Sequence, residues 1–96
     1  MLDSTQDVVW LDWDGDGYLD VATAHGGGPN RIYTYDSSLV QPGFVLAHSL
    51  GATEDSQGVA AGDFDGDGDV DLAFANGADG VTVYENDAGT PAAVWT

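Results

Sequence analysis

Residues 63–71 read DFDGDGDVD, five aspartates and two glycines in nine positions, and residues 12–20 repeat the frame as DWDGDGYLD. Asp12, Asp14, Asp16 and Asp20 answer Asp63, Asp65, Asp67 and Asp71, each 51 positions on. Carboxylates crowded in this way repel one another, and a chain that folds around them needs a cation among them to offset the repulsion.

Oxygen ligands fall at positions 1, 3, 5 and 9 of each stretch, with glycine at position 6. Alternate side chains on a tightly curled loop converge on one centre, and glycine permits the turn that brings the later ligands round. Position 7, Tyr18 or Asp69, lends a backbone carbonyl in the usual form of such a loop, so its side chain is free to vary. Four carboxylates and a carbonyl suit calcium, about two ions per chain; magnesium prefers fewer protein ligands and more water. The chain has no cysteine, and neither His25 nor His48 lies in a loop, which argues against zinc or copper. The loops are not EF-hands, because position 12 holds Thr23 or Phe74 in place of a bidentate glutamate. The alternative reading is a plain polar turn, against which two loops in register weigh heavily.

The register extends beyond the loops. TQDVVWLD aligns with SQGVAAGD and YLDVATAHG with DVDLAFANG. RIYTYD aligns with GVTVYE after a two-residue slip assigned to the GGGPN loop, and PGFVLA with PAAVWT. The chain is thus two copies of one unit of about fifty residues. Valine, threonine and aromatic residues dominate the apolar segments and no helical period is sustained, so each copy reads as four strands. They are expected over Thr5–Leu11, Leu19–Ala24, Arg31–Asp36 and Gly43–His48, then Gln57–Gly62, Val70–Asn76, Val81–Glu85 and Ala92–Thr96. DVATA and DLAFA, apolar on both faces, suit central strands. A repeated four-stranded meander of this period indicates an all-β fold of two β-propeller blades, residues 1–48 and 49–96.

Seventeen acids stand against Arg31 alone, a formal net charge of -16 over 96 residues. That field repels phosphate backbones and anionic lipid and attracts cations, so nucleic-acid and membrane-inserting roles are excluded. Acid scattered through loops with no lysine suits either a halophilic surface, where salt screens the repulsion, or an ordinary acidic extracellular domain. Met1 is followed by LDSTQD, which is no signal segment, and no apolar run approaches the length of a membrane span.

GVAAGDFDGDGDVDLAFANG and DVVWLDWDGDGYLDVATAHG resemble the FG-GAP, or VCBS, repeat of integrin-alpha-type β-propellers. The resemblance implies that each blade begins with its innermost strand and that a calcium loop staples this strand to the second. It implies one ion held by Asp12, Asp14, Asp16 and Asp20 and another by Asp63, Asp65, Asp67 and Asp71, with an extracellular or cell-surface location for the parent protein. Leu11 stands where the second copy has the usual Gly62.

Two blades cannot close a ring, and an open pair exposes apolar faces and strand edges. The chain is therefore expected to be an excised or engineered piece of a longer propeller, or to associate with itself, as a homotrimer ahead of a homotetramer. Trp13 and Phe64 are expected to plug against neighbouring blades, Trp10 and Trp95 to pack, and His25 and His48 to face solvent. No nucleophile setting or phosphate loop is present, so no catalytic residue is assigned and no enzyme is expected. The function expected is a calcium-stabilised binding or assembly scaffold. A glycan-binding lectin using Tyr18, Tyr33 and Tyr35, and a piece of a calcium-dependent polysaccharide-degrading enzyme, are the alternatives.

Overall fold

The structure is a computed structural model that describes residues 4–38, 43–50, 55–77 and 80–95. The repeat folds as repeats of β-rich sequence do, into one meander per copy. The first sheet has the order β1 (Ser4–Leu11), β2 (Asp20–Gly26), β3 (Asn30–Asp36), β4 (Gly43–Leu50). The second has β5 (Gly58–Gly62), β6 (Asp71–Ala75), β7 (Val81–Asp87), β8 (Thr90–Trp95). All neighbouring pairs are antiparallel. Each of the eight expected strands is present with no described end moved by more than two residues; Thr96 lies outside the described residues. Among the described residues no helix is long and apolar enough to cross a membrane.

Pairing corrects the alignment of the two copies. Val21 pairs with Tyr33 as Leu72 pairs with Tyr84, so the offset of 51 holds through the third strands. Tyr84 therefore answers Tyr33, and Asn86 answers Tyr35; there is no slip in GGGPN. The length difference falls between the third and fourth strands, where six residues follow Asp36 and two follow Asp87. Trp95 consequently answers His48, since these two pair with the equivalent Val83 and Ile32. A register shift breaks both ladders at the same place, between Ile32 and Tyr33 and between Val83 and Tyr84.

The sheets stack face to face in a body of 41 × 37 × 16 Å. Residues paired across a ladder share a face. The row Val9, Ala22, Ile32 of the first sheet, with Ala24, Leu11 and Trp13, packs against Leu72, Phe74 and Tyr84 of the second. Small residues on one side thus receive large ones from the other, which is how two pleated faces reach core density. Phe74 and Tyr84 meet edge to face, with ring centroids 5.8 Å apart.

Burial alternates oppositely in the two sheets as a result. The counterparts of the buried Val9–Ala22–Ile32 row are Ala60, Ala73 and Val83, which turn away from the first sheet. The counterparts of the buried Leu72 and Tyr84 are Val21 and Tyr33, on the outer face of the first sheet. As a central strand, β2 is covered on both faces over most of its length, whereas Ala75 of β6 is exposed.

Polar groups hold the two sheets in place. The Ser56 amide donates to the His25 carbonyl at 2.9 Å, and Asn30 Nδ2 donates to Ser56 Oγ at 2.8 Å. Ser56 Oγ donates to Asn76 Oδ1, whose Nδ2 donates to Thr82 Oγ1. All four side chains are buried, so each bond replaces hydration that folding removed. Two expectations about single residues fail here. His25, expected to face solvent, is buried, with Nε2 2.7 Å from Thr23 Oγ1, because it lies on the central strand β2, which is covered on both faces. Trp10 is 56% exposed, because its face is the one the second sheet does not cover.

Candidate metal centres

Each acidic loop connects the first strand of a sheet to the second, β1 to β2 and β5 to β6. Glycine makes the curl possible at two positions per loop. Gly15 and Gly17 have φ of 75° and 92°, and Gly66 and Gly68 have 74° and 95°, a region costly for any residue with a Cβ. The sequence points to the second of each pair; the first is set equally by the fold.

The first aspartate organises the curl. Asp12 Oδ1 accepts from the amides of Gly15 and Asp16 at 3.0 and 3.2 Å, and Oδ2 from Gly17 at 3.0 Å. Asp63 does the same for Gly66, Asp67 and Gly68, at 2.9, 3.2 and 2.8 Å. Asp14 and Asp65 each accept from the amide two residues on, and so do Asp16 and Asp67, which accept from Tyr18 and Asp69. Tyr18 and Asp69 thus have their amides tied into the loop, while the Tyr18 side chain stands half exposed, 5.4 Å from the ring of Tyr35.

The ninth position behaves differently. Asp20 and Asp71 are 0% and 2% exposed. Asp20 Oδ2 accepts from the Trp13 amide at 2.9 Å and Oδ1 from the Tyr35 amide at 2.8 Å. Asp71 accepts from Phe64 at 3.1 Å and from Asn86 at 2.7 Å. One carboxylate therefore ties the start of each loop to the third strand. Each of its oxygens has accepted one N–H and keeps a second lone pair for another partner. This clamp is invisible in the loop motif, because one of the two amides each carboxylate holds lies 15 residues away.

The geometry gathers both quartets. One carboxylate oxygen from each of Asp12, Asp14, Asp16 and Asp20 lies within 4.8 Å of the others, and the same holds for Asp63, Asp65, Asp67 and Asp71. Oxygens on opposite sides of a calcium ion stand about 4.6–5.2 Å apart, given bonds of about 2.3–2.6 Å, so each set fits within one such shell. The groups gathered in both sets are all carboxylates, hard and negatively charged donors.

The electrostatics record the crowding. Burial, a hydrogen bond with Asp16 and the charge of Asp20 push the Asp14 carboxyl up. The Gly68 amide, followed by further loop amides, holds Asp63 below the usual carboxylate range. Asp65 is pushed up to about 7, chiefly by sharing a hydrogen bond with Glu85 of β7, then by desolvation. Glu85 answers Thr34, so this extra acid beside the loop belongs to the second copy alone.

The residues at position 2 divide. Trp13 is 2% exposed, its Nε1 donating to the Gly89 carbonyl at 3.1 Å and its own carbonyl accepting from Asn86 Nδ2 at 2.8 Å. Phe64, its counterpart, is 57% exposed on the outer face of the second sheet. Trp13 plugs against the neighbouring sheet as expected, whereas Phe64 finds no such sheet among the described residues.

Comparison with curated proteins and with solved structures finds no match. The model of the FG-GAP-like repeat matches residues 12–74, about two thirds of the chain, from the first aspartate of the first loop to three residues past the last aspartate of the second. With two acidic loops in register and two four-stranded antiparallel sheets built around them, the chain belongs to the FG-GAP-like repeat family.

Proposed function

We propose that the chain is a calcium-holding β-propeller module that associates with copies of itself into a ring and serves as a binding scaffold, the metal being structural. The observation that carries this reading is the pair of acidic loops. Each draws four carboxylates within 4.8 Å of one another and is anchored at its base by a buried aspartate. In this reading Asp12, Asp14, Asp16 and Asp20 hold one ion and Asp63, Asp65, Asp67 and Asp71 the other, with the Tyr18 and Asp69 carbonyls as further ligands. The ion neutralises the loop charge and fixes the turn between the first and second strands of each blade. No side chain is assigned to catalysis. Oxygen sites of this kind suit the calcium levels outside cells, in keeping with an extracellular or cell-surface setting.

Ring closure follows from the need to cover two open faces. Whole two-bladed subunits make a six-bladed ring as a trimer or an eight-bladed ring as a tetramer. Calorimetric titration with calcium tests the metal, with two sites per chain expected. No heat, together with an unchanged melting temperature, rejects it. Light scattering with calcium and then with a chelator tests the ring.

A further inference from the structure

The second sheet presents a concavity of about 800 Å³ on its outer face, floored by Ala60, Ala73 and Val83 and flanked by Phe64 and Val94. The opposite end of the molecule, the outer face of the first sheet, is bulky: Val8, Trp10, Phe44 and Leu46 are each about half exposed. Trp10 and Phe44 meet at a tilt with ring centroids 5.9 Å apart, and Tyr35 meets Phe44 edge to face at 5.5 Å. One end is small and hollow, the other large and aromatic.

The chain already contains the contact that joins two such faces. Inside it, Val9, Ala22, Ile32 and Trp13 of the first sheet receive Leu72, Phe74 and Tyr84 of the second. The hollow end carries the counterparts of the first set, Ala60, Ala73, Val83 and Phe64, at the constant offset of 51. The bulky end carries the counterparts of the second set, the half-buried Val21 and Tyr33 and, between them in the set, Thr23, which is already buried. Each exposed face is thus the counterpart of a face that is buried against the other kind.

From this pairing we infer that the outer face of the second sheet docks on the outer face of the first sheet in a second copy of the chain, head to tail, in the register of the internal contact. Phe64 then takes the place of Trp13. Trp13 sits against Asn86, whose counterpart is Tyr35, so Phe64 sits against Tyr35 of the second copy. The contact is heterologous, with different patches on the two partners, and a fixed rotation repeated around an axis closes it into a ring. It differs from its internal model at several points, among them Thr23 in place of Phe74 and Tyr35 in place of Asn86, whose bond to the Trp13 carbonyl is lost. Val81 replaces the buried Asn30, so the amide bond to the serine of the next sheet is missing, and Phe64 has no N–H to give to a carbonyl. The contact between copies therefore rests on shape and apolar area more than on hydrogen bonds. This inference depends on the self-association proposed above and adds which faces meet and in what register.

The test uses two variants of the 96-residue chain, each with one face blocked. Ala73→Arg places a charge in the hollow end and Trp10→Asp one in the bulky end. Masses are measured by light scattering in calcium and screening salt, with circular dichroism as the check on folding. The wild type is expected as three or four chains, each variant alone as one, and an equimolar mixture as two, because each variant keeps the face that the other lacks. A wild type that is one chain at every concentration overturns self-association itself, and with it the inference. It would show that these faces await further blades of a longer chain. A wild type that assembles while either variant keeps its mass, or a mixture that stays monomeric, overturns the docking geometry alone. Should a variant fail to fold, an independent measurement decides. The chain has no native cysteine, so Phe64→Cys mixed with Tyr35→Cys is expected to give a covalent dimer on mild oxidation. Absence of that dimer where the wild type assembles overturns the register.

Discussion

Trp13 and Phe64 stand at the same position of the same loop. The amide of each donates to a buried aspartate seven residues on, and each is followed by the same aspartate and glycine spacing. Yet one is 2% exposed and the other 57%. The difference lies outside the loop, in whether a sheet stands against it. In a repeat protein, burial is a property of the neighbour more than of the sequence that is buried.

The largest expected effect tests that difference directly. Trp13→Ala removes a buried aromatic side chain and its bond to the Gly89 carbonyl, and about 4 kcal/mol of stability should go with it. Phe64→Ala, in the single chain, should change stability by no more than about 0.5 kcal/mol. Urea unfolding at a concentration that keeps the chain monomeric checks both. Equal losses would mean that Phe64 is covered after all and would end the comparison.

A second contrast lies within each loop. Asp71→Ala leaves two amides without their acceptor, one of them the buried Asn86, and should cost about 3 kcal/mol even without calcium. Asp20→Ala should do the same in the first copy. Asp14→Ala should cost little without calcium and much more with it, since in the proposed function Asp14 serves the ion more than the loop. Equal costs with and without calcium at Asp14 would remove the division of labour between anchor and ligand.

Calcium itself is expected to stabilise the chain by about 2.7 kcal/mol per site at a hundredfold excess over the dissociation constant. Asp65→Asn combined with Asp67→Asn should abolish one site and leave the first copy's site intact, read as a halved stoichiometry by calorimetry.

The smallest effect is the response to pH. In the metal-free chain Asp65 is raised to about 7, so the folded state holds a proton that the unfolded chain releases near 3.8. The stability this contributes is complete below about 3.8 and is lost as pH rises towards 7. Asp63 is lowered, so its contribution is present above 3.8 and lost only in stronger acid. Between pH 5 and 8 the metal-free chain should therefore melt at lower temperature as pH rises, most visibly at low salt, where screening is least. Saturating calcium should flatten the slope, because the ion displaces that proton and neither the folded nor the unfolded chain then carries it in this range. Melting curves at pH 5.5 and 8, with and without calcium, check the sign; parallel slopes would mean that the ion does not engage Asp65.

Much of this architecture is legible in the chain. The strands follow from β-branched and aromatic runs cut by glycine and aspartate, and the loops from ligand spacing. What is not legible follows from contacts made at a distance. Tyr35 and Tyr84 match by identity, but the pairing of β6 with β7 sets Asn86 opposite Tyr35, and Asn86 is chosen for its bond to Trp13 in the other copy. The anchoring of Asp20 and Asp71 to the third strands was hidden for the same reason. His25 and Trp10 each read as ordinary for their type, and what separates them is their place across the sheet, His25 on the central strand β2 and Trp10 on the edge strand β1. The GGGPN loop attracted the length difference because it is rich in glycine, while the extra residues lie after Asp36.

A body 16 Å across is only two sheets thick, so no backbone amide lies deeper than one layer of side chains from solvent. Protection of those amides against deuterium must then come from the strength of each ladder and from what lies over it. The central strand β2, covered on both faces over most of its length, should retain its protons longest, and β5, whose residues are all partly or fully exposed, should be among the first to lose them. Docking of another sheet onto the hollow end would move β6 into the position β2 now holds, and its slowing would report that event residue by residue in a molecule whose overall shape had hardly changed.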